Sequence, residues 1–318
     1  MGSIVSTTIK SISIVIPVYN AEQTLEALHE QLIAALDVYT DQFEIIMVED
    51  HGKDNSWSII NKLTEADSRV RGIRLSRNYG QHNALLCGIR AARYETIITM
   101  DDDLQNPVSE ISILLNKIAD GYDVVYGTPM QERHSLLRNM ASRLTKIALQ
   151  SAMGVETARN VSAFRAFKTK LRDGFKDYRS PFVSIDVLLT WSTSSFSSVK
   201  VRHEPRSAGL SNYTLSKLIH HAFNLMTGFS TLPLQLASLV GFIFTLFGFA
   251  ILAWVVGRYL ITGNSIPGFS FLASIIAIFS GAQLFALGIF GEYLARIHFR
   301  TMDRPPYVVE QLDEATEE

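Results

Sequence analysis

Two almost uncharged stretches near the C-terminal end, Leu232–Ile261 and residues 269–297, set the first limit on the fold. Each exceeds the ~20 apolar residues that a helix needs to cross the hydrocarbon core of a bilayer. Their hydrophobicity is continuous rather than periodic, so no face is left for water. The connecting residues 262–268 are few and uncharged, which predicts a transmembrane hairpin. Arg296, His298, Arg300 and Arg304 cluster at the far end of the second stretch. The positive-inside bias therefore puts both chain termini in the cytoplasm, with the protein in the inner (plasma) membrane. Arg258 runs against that bias but can snorkel from the outer end of its span. Glu292 either lies near the cytosolic interface or pairs with a neighbouring helix. Gly241, Gly248, Gly281 and Gly288 are small enough to permit close helix packing, including packing in a homo-oligomer.

The rest of the chain reads as a water-soluble α/β domain. At 318 residues there is room for one medium domain plus the hairpin, and the mean hydropathy of +0.14 owes its excess mostly to residues after Leu232. A net charge of -2 offers no basic surplus for nucleic acid. Cys87 is the only cysteine, so no intrachain disulfide forms and a reducing compartment is favoured. Residues 1–10 lack the apolar core of a signal peptide.

Short apolar runs at residues 12–16, 43–48, 70–75, 96–100 and 123–126 alternate with helix-length segments at 21–38, 55–67, 81–93 and 108–119. Leu25, Leu28, Leu32 and Leu36 show the three- and four-residue spacing of an amphipathic helix. Strands alternating with helices predict βαβ units and a mostly parallel sheet, whose ligands bind beyond the carboxyl ends of the strands. Pro17-Val18-Tyr19-Asn20, Glu49-Asp50 and Asp101-Asp102-Asp103 would converge on that edge. Residues 135–153 read as another helix, with Arg138 and Ser142 on one face. Strands are expected near 163–167 and 198–202, while 182–191 fits either helix or strand. Residues 214–229 are amphipathic and precede the first span, as expected of a helix lying in the interface plane.

Asp101 and Asp103 flank one residue, a spacing that lets two carboxylates reach one hard cation from a turn. Mg²⁺ or Mn²⁺ is commonly held by one or two carboxylates plus substrate phosphate oxygens, and Gln105 offers a further neutral oxygen. Asp50 could accept a hydrogen bond from a base, and Tyr19 could stack on a base or sugar. Arg206 precedes Gly209 in a stretch of small residues suited to a loop near phosphate, and its planar fork matches a diphosphate. Arg138, Arg143 and Arg165 are candidates for binding an anionic acceptor.

Together these motifs resemble the family 2 glycosyltransferases of the glycosyltransferase-A fold, and within them the polyprenyl-phosphate type that includes bactoprenol glucosyltransferases and dolichyl-phosphate mannose synthases. The carrying residues are Ile16-Pro17-Val18-Tyr19-Asn20, Val48-Glu49-Asp50, Leu75-Ser76-Arg77-Asn78-Tyr79-Gly80, Asp101-Asp102-Asp103-Leu104-Gln105 and Arg206-Ser207-Ala208-Gly209-Leu210-Ser211. The resemblance implies a Rossmann-like catalytic domain at 1–212, an interfacial helix at 213–230, the hairpin at 231–300 and a cytosolic tail at 301–318. It also implies that Pro17, Tyr19 and Asp50 bind the nucleoside, with Asp102 near the ribose or phosphates. Asp101, Asp103 and Gln105 would hold the metal, Arg206 the donor diphosphate, and Arg138 and Ser142 the acceptor phosphate.

The chain departs from that pattern at three places. Glu49-Asp50-His51-Gly52 replaces the usual Asp-Asp-Gly-Ser, and Asn212 stands where relatives often carry lysine. Arg159-Asn160 stands where many have an acidic residue, so no general base is assigned. A lipid phosphate is already anionic near neutral pH and needs positioning more than deprotonation. The expected reaction is inverting, metal-dependent transfer from a nucleotide sugar to polyprenyl (undecaprenyl) phosphate. UDP-glucose is the expected donor, giving the β-linked product. The alternatives are a processive polysaccharide synthase, which needs a Gln-x-x-Arg-Trp segment and more spans, and a non-catalytic membrane-anchored nucleotide-sugar sensor.

Overall fold

The computed structural model describes residues 11–40, 42–130, 153, 160–204, 227–263 and 268–314. The first strand, β1 (Ile12–Val18), is a β-branched run buried along its whole length. It is followed by α1 (Leu25–Leu36), β2 (Phe43–Glu49), α2 (Ser56–Ala66), β3 (Val70–Leu75), α3 (Gln81–Ala91) and β4 (Thr96–Thr99). A single 3-10 turn leads into α4 (Ile111–Ala119), and β5 (Val124–Pro129), β6 (Arg165–Lys168), α5 (Ile185–Thr190) and β7 (Phe196–Val201) complete the domain. The segment 182–191, undecided from periodicity, thus contains a short helix.

With a last strand, β8 (Val309–Glu314), the strands form one sheet in the order β7-β5-β6-β4-β1-β2-β3-β8. β1 pairs in parallel with β2 on one side and with β4 on the other. The chain therefore steps outward through β2 and β3, then returns to the opposite side of β1. That reversal opens a crevice at the carboxyl ends of β1 and β4, the usual ligand position in open α/β sheets. β5 and β7 are also parallel, whereas β6 and β8 run antiparallel to their neighbours.

Alternation along β1 divides the core into two layers. Ile12, Ile14 and Ile16 join Leu25, Leu28 and Leu32 of α1 on one face. Val15 meets Leu85, Leu86 and Ile89 of α3 on the other. A Cβ on Gly88 would lie 2.4 Å from Val15 Cγ1, so glycine is what lets α3 lie flat against the sheet. That close approach sets the position of the α3 N-terminus at the crevice.

The C-terminal hairpin consists of α6 (Leu232–Thr262) and α7 (Phe269–Thr301). Both are long and apolar enough to cross a membrane, and neither has its most hydrophobic window buried within the protein. They touch through Phe244 and Phe279, whose ring centroids are 5.6 Å apart. Glu292 pairs within its own helix instead of with a neighbouring one: its Oε1 lies 2.9 Å from Nη2 of Arg296, one turn along. Among the candidate packing glycines, Gly248 faces Phe279, while Gly241, Gly281 and Gly288 have open space beside them.

The sequence places a tail at 301–318, but the structure turns part of it into β8 (Val309–Glu314), which pairs antiparallel with β3. The segment is Val-Glu-Gln-Leu-Asp-Glu, too polar to signal a strand by alternation. A charged edge strand needs only one covered edge, and its charges discourage further pairing. Tyr307 packs beneath it, with Arg90 of α3 5.7 Å from the ring centroid. The C-terminal end of α7 is thereby tied to the sheet within a few residues. Of the interfacial helix expected at 213–230, all but residues 227–230 lies outside the described residues.

Candidate active site

Three turns follow the carboxyl ends of β1, β2 and β4, and each contains a non-glycine residue at positive φ: Asn20 (54°), His51 (52°) and Leu104 (58°). Leucine rarely adopts this conformation, so packing must hold Leu104 there. Its side chain contacts the core beneath, and the Asp101-Asp102-Asp103 turn sits immediately before it. Backbone outliers of this kind cluster at ligand sites.

The acidic turn is fixed by its neighbours. The Tyr19 amide donates to Asp102 Oδ2 at 3.1 Å, closing the crevice between β1 and β4. Gln81, the first residue of α3, donates from Nε2 to Asp101 Oδ1 at 2.6 Å. Asp103 is 8% exposed and accepts from the Gln105 amide at 3.1 Å. The Gln105 carbonyl accepts from the Glu204 amide at 2.8 Å, which ties the residues after β7 to the turn. Burial pushes the Asp102 carboxyl up to about 7, and the charges of Asp101 and Asp103 add to that rise. A cation placed among these carboxylates would oppose both effects.

Asp50 gains a role that the sequence does not announce. Its two oxygens accept from the Tyr79 and Gly80 amides, each at 2.7 Å, holding the loop that opens α3. Gly80 has φ of 93°, a conformation that a side chain would strain. Burial raises the Asp50 carboxyl to about 6, despite the lowering pull of those two amides. A carboxylate offers about four lone-pair sites, so the clamp leaves capacity for a ligand donor. Tyr19 is 43% exposed at the crevice mouth, as stacking requires. Pro17 is buried inside β1, in register with Val48, one residue short of the open edge. His51 faces β3 and β8: its Nδ1 lies 3.2 Å from the Leu75 carbonyl oxygen and 3.7 Å from Glu310 Oε2.

Arg165 is a correction to the sequence reading. It is 1% exposed and paired with Asp186, while its Nε donates to Thr99 Oγ1 at 3.0 Å. Tyr126 Oη donates to the same Asp186 carboxylate at 3.1 Å. Arg165 therefore braces the end of β4 from below and does not meet an acceptor. Its carboxylate partner lies in a different element, which spacing along the chain does not reveal. Arg138, Ser142, Arg143 and Arg206 lie outside the described residues.

Among the described residues, no three His, Cys, Asp or Glu side chains are gathered into an all-protein metal cage. Two carboxylates on one turn match instead the kind of donor set used by an ion that shares its coordination with substrate phosphates.

The sequence profile described as Glycosyl transferase family 2 matches residues 13–177, which contain β1 to β6 and the entire acidic turn. The chain belongs to that family. The undecaprenyl-phosphate 4-deoxy-4-formamido-L-arabinose transferase of Yersinia pestis (strain Pestoides F) is 35% identical over 96% of this chain and 94% of its own. The protein of that name from Yersinia enterocolitica is 34% identical over 96% and 95%. A solved mycobacterial protein superposes with a TM-score of 0.51 at 17% identity, covering 69% of this chain and 73% of the other. Glucosyl-3-phosphoglycerate synthase from Mycobacterium tuberculosis, solved with Mn2+ and UDP-glucose, gives 0.50 at 17% identity, over 69% and 77%. These two likenesses carry the glycosyltransferase-A fold. Since the Yersinia relatives align through the hairpin as well, this glycosyltransferase is of the polyprenyl-phosphate type.

Proposed function

We propose that this glycosyltransferase moves a sugar from a UDP donor to undecaprenyl phosphate at the cytosolic face of the inner membrane, with inversion at the anomeric carbon. The observation that carries the reading is the acidic turn at the sheet reversal, in a chain whose exposed apolar hairpin is tied to the edge of that same sheet. Such an enzyme meets a water-soluble donor and a membrane-borne acceptor at one place.

Tyr19 stacks on the nucleoside, Asp102 holds the Tyr19 backbone near the ribose and phosphates, and Asp50 shapes the loop facing them, with Pro17 packed behind. Asp101 and Asp103, with Gln105, hold Mg²⁺ or Mn²⁺, whose contribution is neutralising charge on the departing diphosphate. The Mn2+ seen in the mycobacterial synthase supports a divalent ion at this position. Arg206 binds the donor diphosphate, and Arg138 and Ser142 orient the acceptor phosphate. An oxygen of the lipid phosphate attacks the anomeric carbon, the bond from that carbon to the UDP oxygen breaks, and UDP leaves with the electron pair. No residue need remove a proton, since the nucleophile is already an anion.

The Yersinia relatives are named for a 4-deoxy-4-formamido-L-arabinose, which supports a modified pentose as the sugar in place of the glucose expected from the tail. The test is incubation of purified protein with undecaprenyl phosphate, Mg²⁺ or Mn²⁺ and a panel of UDP-sugars including both. Mass spectrometry and NMR of the lipid fraction then identify the sugar and its linkage. A lipid product of inverted configuration from the formamido pentose is expected. Preferential use of UDP-glucose would overturn the donor assignment, a retained configuration the mechanism, and no lipid product from any donor the function.

A further inference from the structure

A second feature lies where the hairpin meets the catalytic domain. The chain there encloses a cavity of about 340 Å³, in the size range of small-molecule sites. One wall is a domain loop bearing Tyr178 and Phe182, and the opposite wall is the last turns of α7, bearing Tyr293, Arg296 and Arg300. Residues 227–231, leading into α6, close the third side, and no carboxylate is among the lining side chains. Arg296 is 8% exposed; Glu292, outside the cavity lining, pairs with its Nη2 at 2.9 Å, and its guanidinium sits 4.4 Å from the Phe182 ring centroid. Packing on that ring fixes a planar fork whose geometry suits phosphate oxygens. A Cβ on Gly228 would lie 3.4 Å from Arg296 Nη1, so glycine keeps space open beside the guanidinium.

Position narrows the ligand class. Both membrane-helix segments lining the cavity belong to the same end of the hairpin, and amphipathic aromatic rings of this kind sit at head-group depth. A ligand whose phosphate entered here could lay its chain along the exposed apolar surfaces of α6 and α7. The cavity is also linked to the catalytic turn. Asn83 Nδ2 lies 3.4 Å from the Pro181 carbonyl oxygen, and the Ile185 amide lies 3.4 Å from His82 Nδ1. Gln81, next to His82, holds Asp101.

We propose that this cavity is a docking subsite for a lipid-borne phosphomonoester, where Arg296 and Arg300 receive the acceptor head group before it moves to the acidic turn. The identity of that acceptor rests on the function proposed above; the site itself rests on the cavity.

The test measures retention of undecaprenyl phosphate by the full chain in phosphatidylcholine nanodiscs, without donor. Arg300→Gln is expected to lower retention about tenfold, the scale of one lost charge-assisted hydrogen bond, with UDP affinity unchanged. Arg296→Gln should do the same and Arg296→Lys should recover part of the loss, with thermal midpoints checking the fold of each. Retention within twofold of wild type in folded Arg300→Gln would overturn the proposal. Equal displacement by inorganic phosphate would show a general anion site, and equal displacement by phosphatidylglycerol a phosphodiester lipid site; either overturns it. Because this readout needs no turnover, it remains decisive even if no UDP-sugar proves to be a substrate.

Discussion

The catalytic domain and the hairpin use the same apolar residue types under opposite conditions. Leu28 and Ile14 are fully buried, whereas Leu246 is 54% exposed and Phe249 64%. In the domain, apolar residues recur with three- and four-residue spacing in α1, because one face of that helix meets water, while β1 is apolar on both faces because a core layer covers each. In α6 the pattern has no polar face to spare, because the surrounding medium is itself apolar. Burial of a side chain in the domain therefore measures protein packing, while exposure in the hairpin measures apolar surface suited to lipid. Among the described residues, the two regions meet at the cavity beside the C-terminal end of α7 and follow one another through β8.

The sharpest way to separate the regions is to disable one chemically. Asp103→Ala should reduce metal-dependent turnover by about three orders of magnitude or more, consistent with several kcal/mol of lost charge stabilisation. Its thermal midpoint and nanodisc insertion should stay close to wild type, since the change removes a ligand group and no core side chain. Turnover within a few fold of wild type, measured with saturating donor, would remove the metal from Asp103.

A pair of leucine truncations tests the contrast in burial directly. Leu28→Ala opens a hole in the α1 layer and should cost about 2–5 kcal/mol in denaturant unfolding of the domain. Leu246→Ala exchanges one lipid contact for another and should leave that transition unchanged within about 0.5 kcal/mol. Equal losses would mean that α6 is packed against protein along its length, contrary to its exposure.

Much of this arrangement is legible in the sequence because it follows from periodicity. The strand at 96–100 running into three aspartates, the leucines of α1 and the two unbroken apolar stretches all announce their surroundings. β8 is not legible, since Val309–Glu314 carries charges where a buried strand would carry valines. Arg165 misleads for a related reason: a buried arginine and a substrate-binding one look alike until Asp186 and Thr99 are seen beside it. The Asp50 clamp escapes detection because its partners are backbone amides, which every sequence supplies. Leu104 gives no hint of its positive φ, a conformation more often signalled by glycine or asparagine.

The Asp50 clamp has a pH signature that belongs to the domain alone. Burial pushes its carboxyl up to about 6 in the folded protein, above the ordinary 3.8 of an aspartate. Between those values the folded state binds the proton more tightly, so this group's contribution to stability is fully present below about 4 and is lost as pH rises through 6. Relative to Asp50→Asn, wild-type stability should therefore fall by about 1–3 kcal/mol from pH 4 to 7 and then level off. Unfolding of both proteins across that range checks this, and a constant difference would mean that Asp50 titrates normally.

The smallest expected effect tests how firmly the chain end is joined to the domain. Thr64 in α2 donates its hydroxyl to Asp313 Oδ2 at 2.9 Å, a side-chain bond across the β3–β8 edge. Thr64 is 3% exposed, and its hydroxyl also lies 2.7 Å from the Asn61 carbonyl oxygen. Thr64→Val keeps the shape and removes both bonds, at a cost of about 0.5–1.5 kcal/mol. The loss should be concentrated at β8, because the partner left behind is the Asp313 carboxylate on an edge strand. Hydrogen exchange would then speed up at the amides of β3 and β8 while those of β1 and β2 keep their protection. Uniform acceleration across the sheet would show instead that β8 opens only with the whole domain, making the chain end as integral to the fold as its central strands.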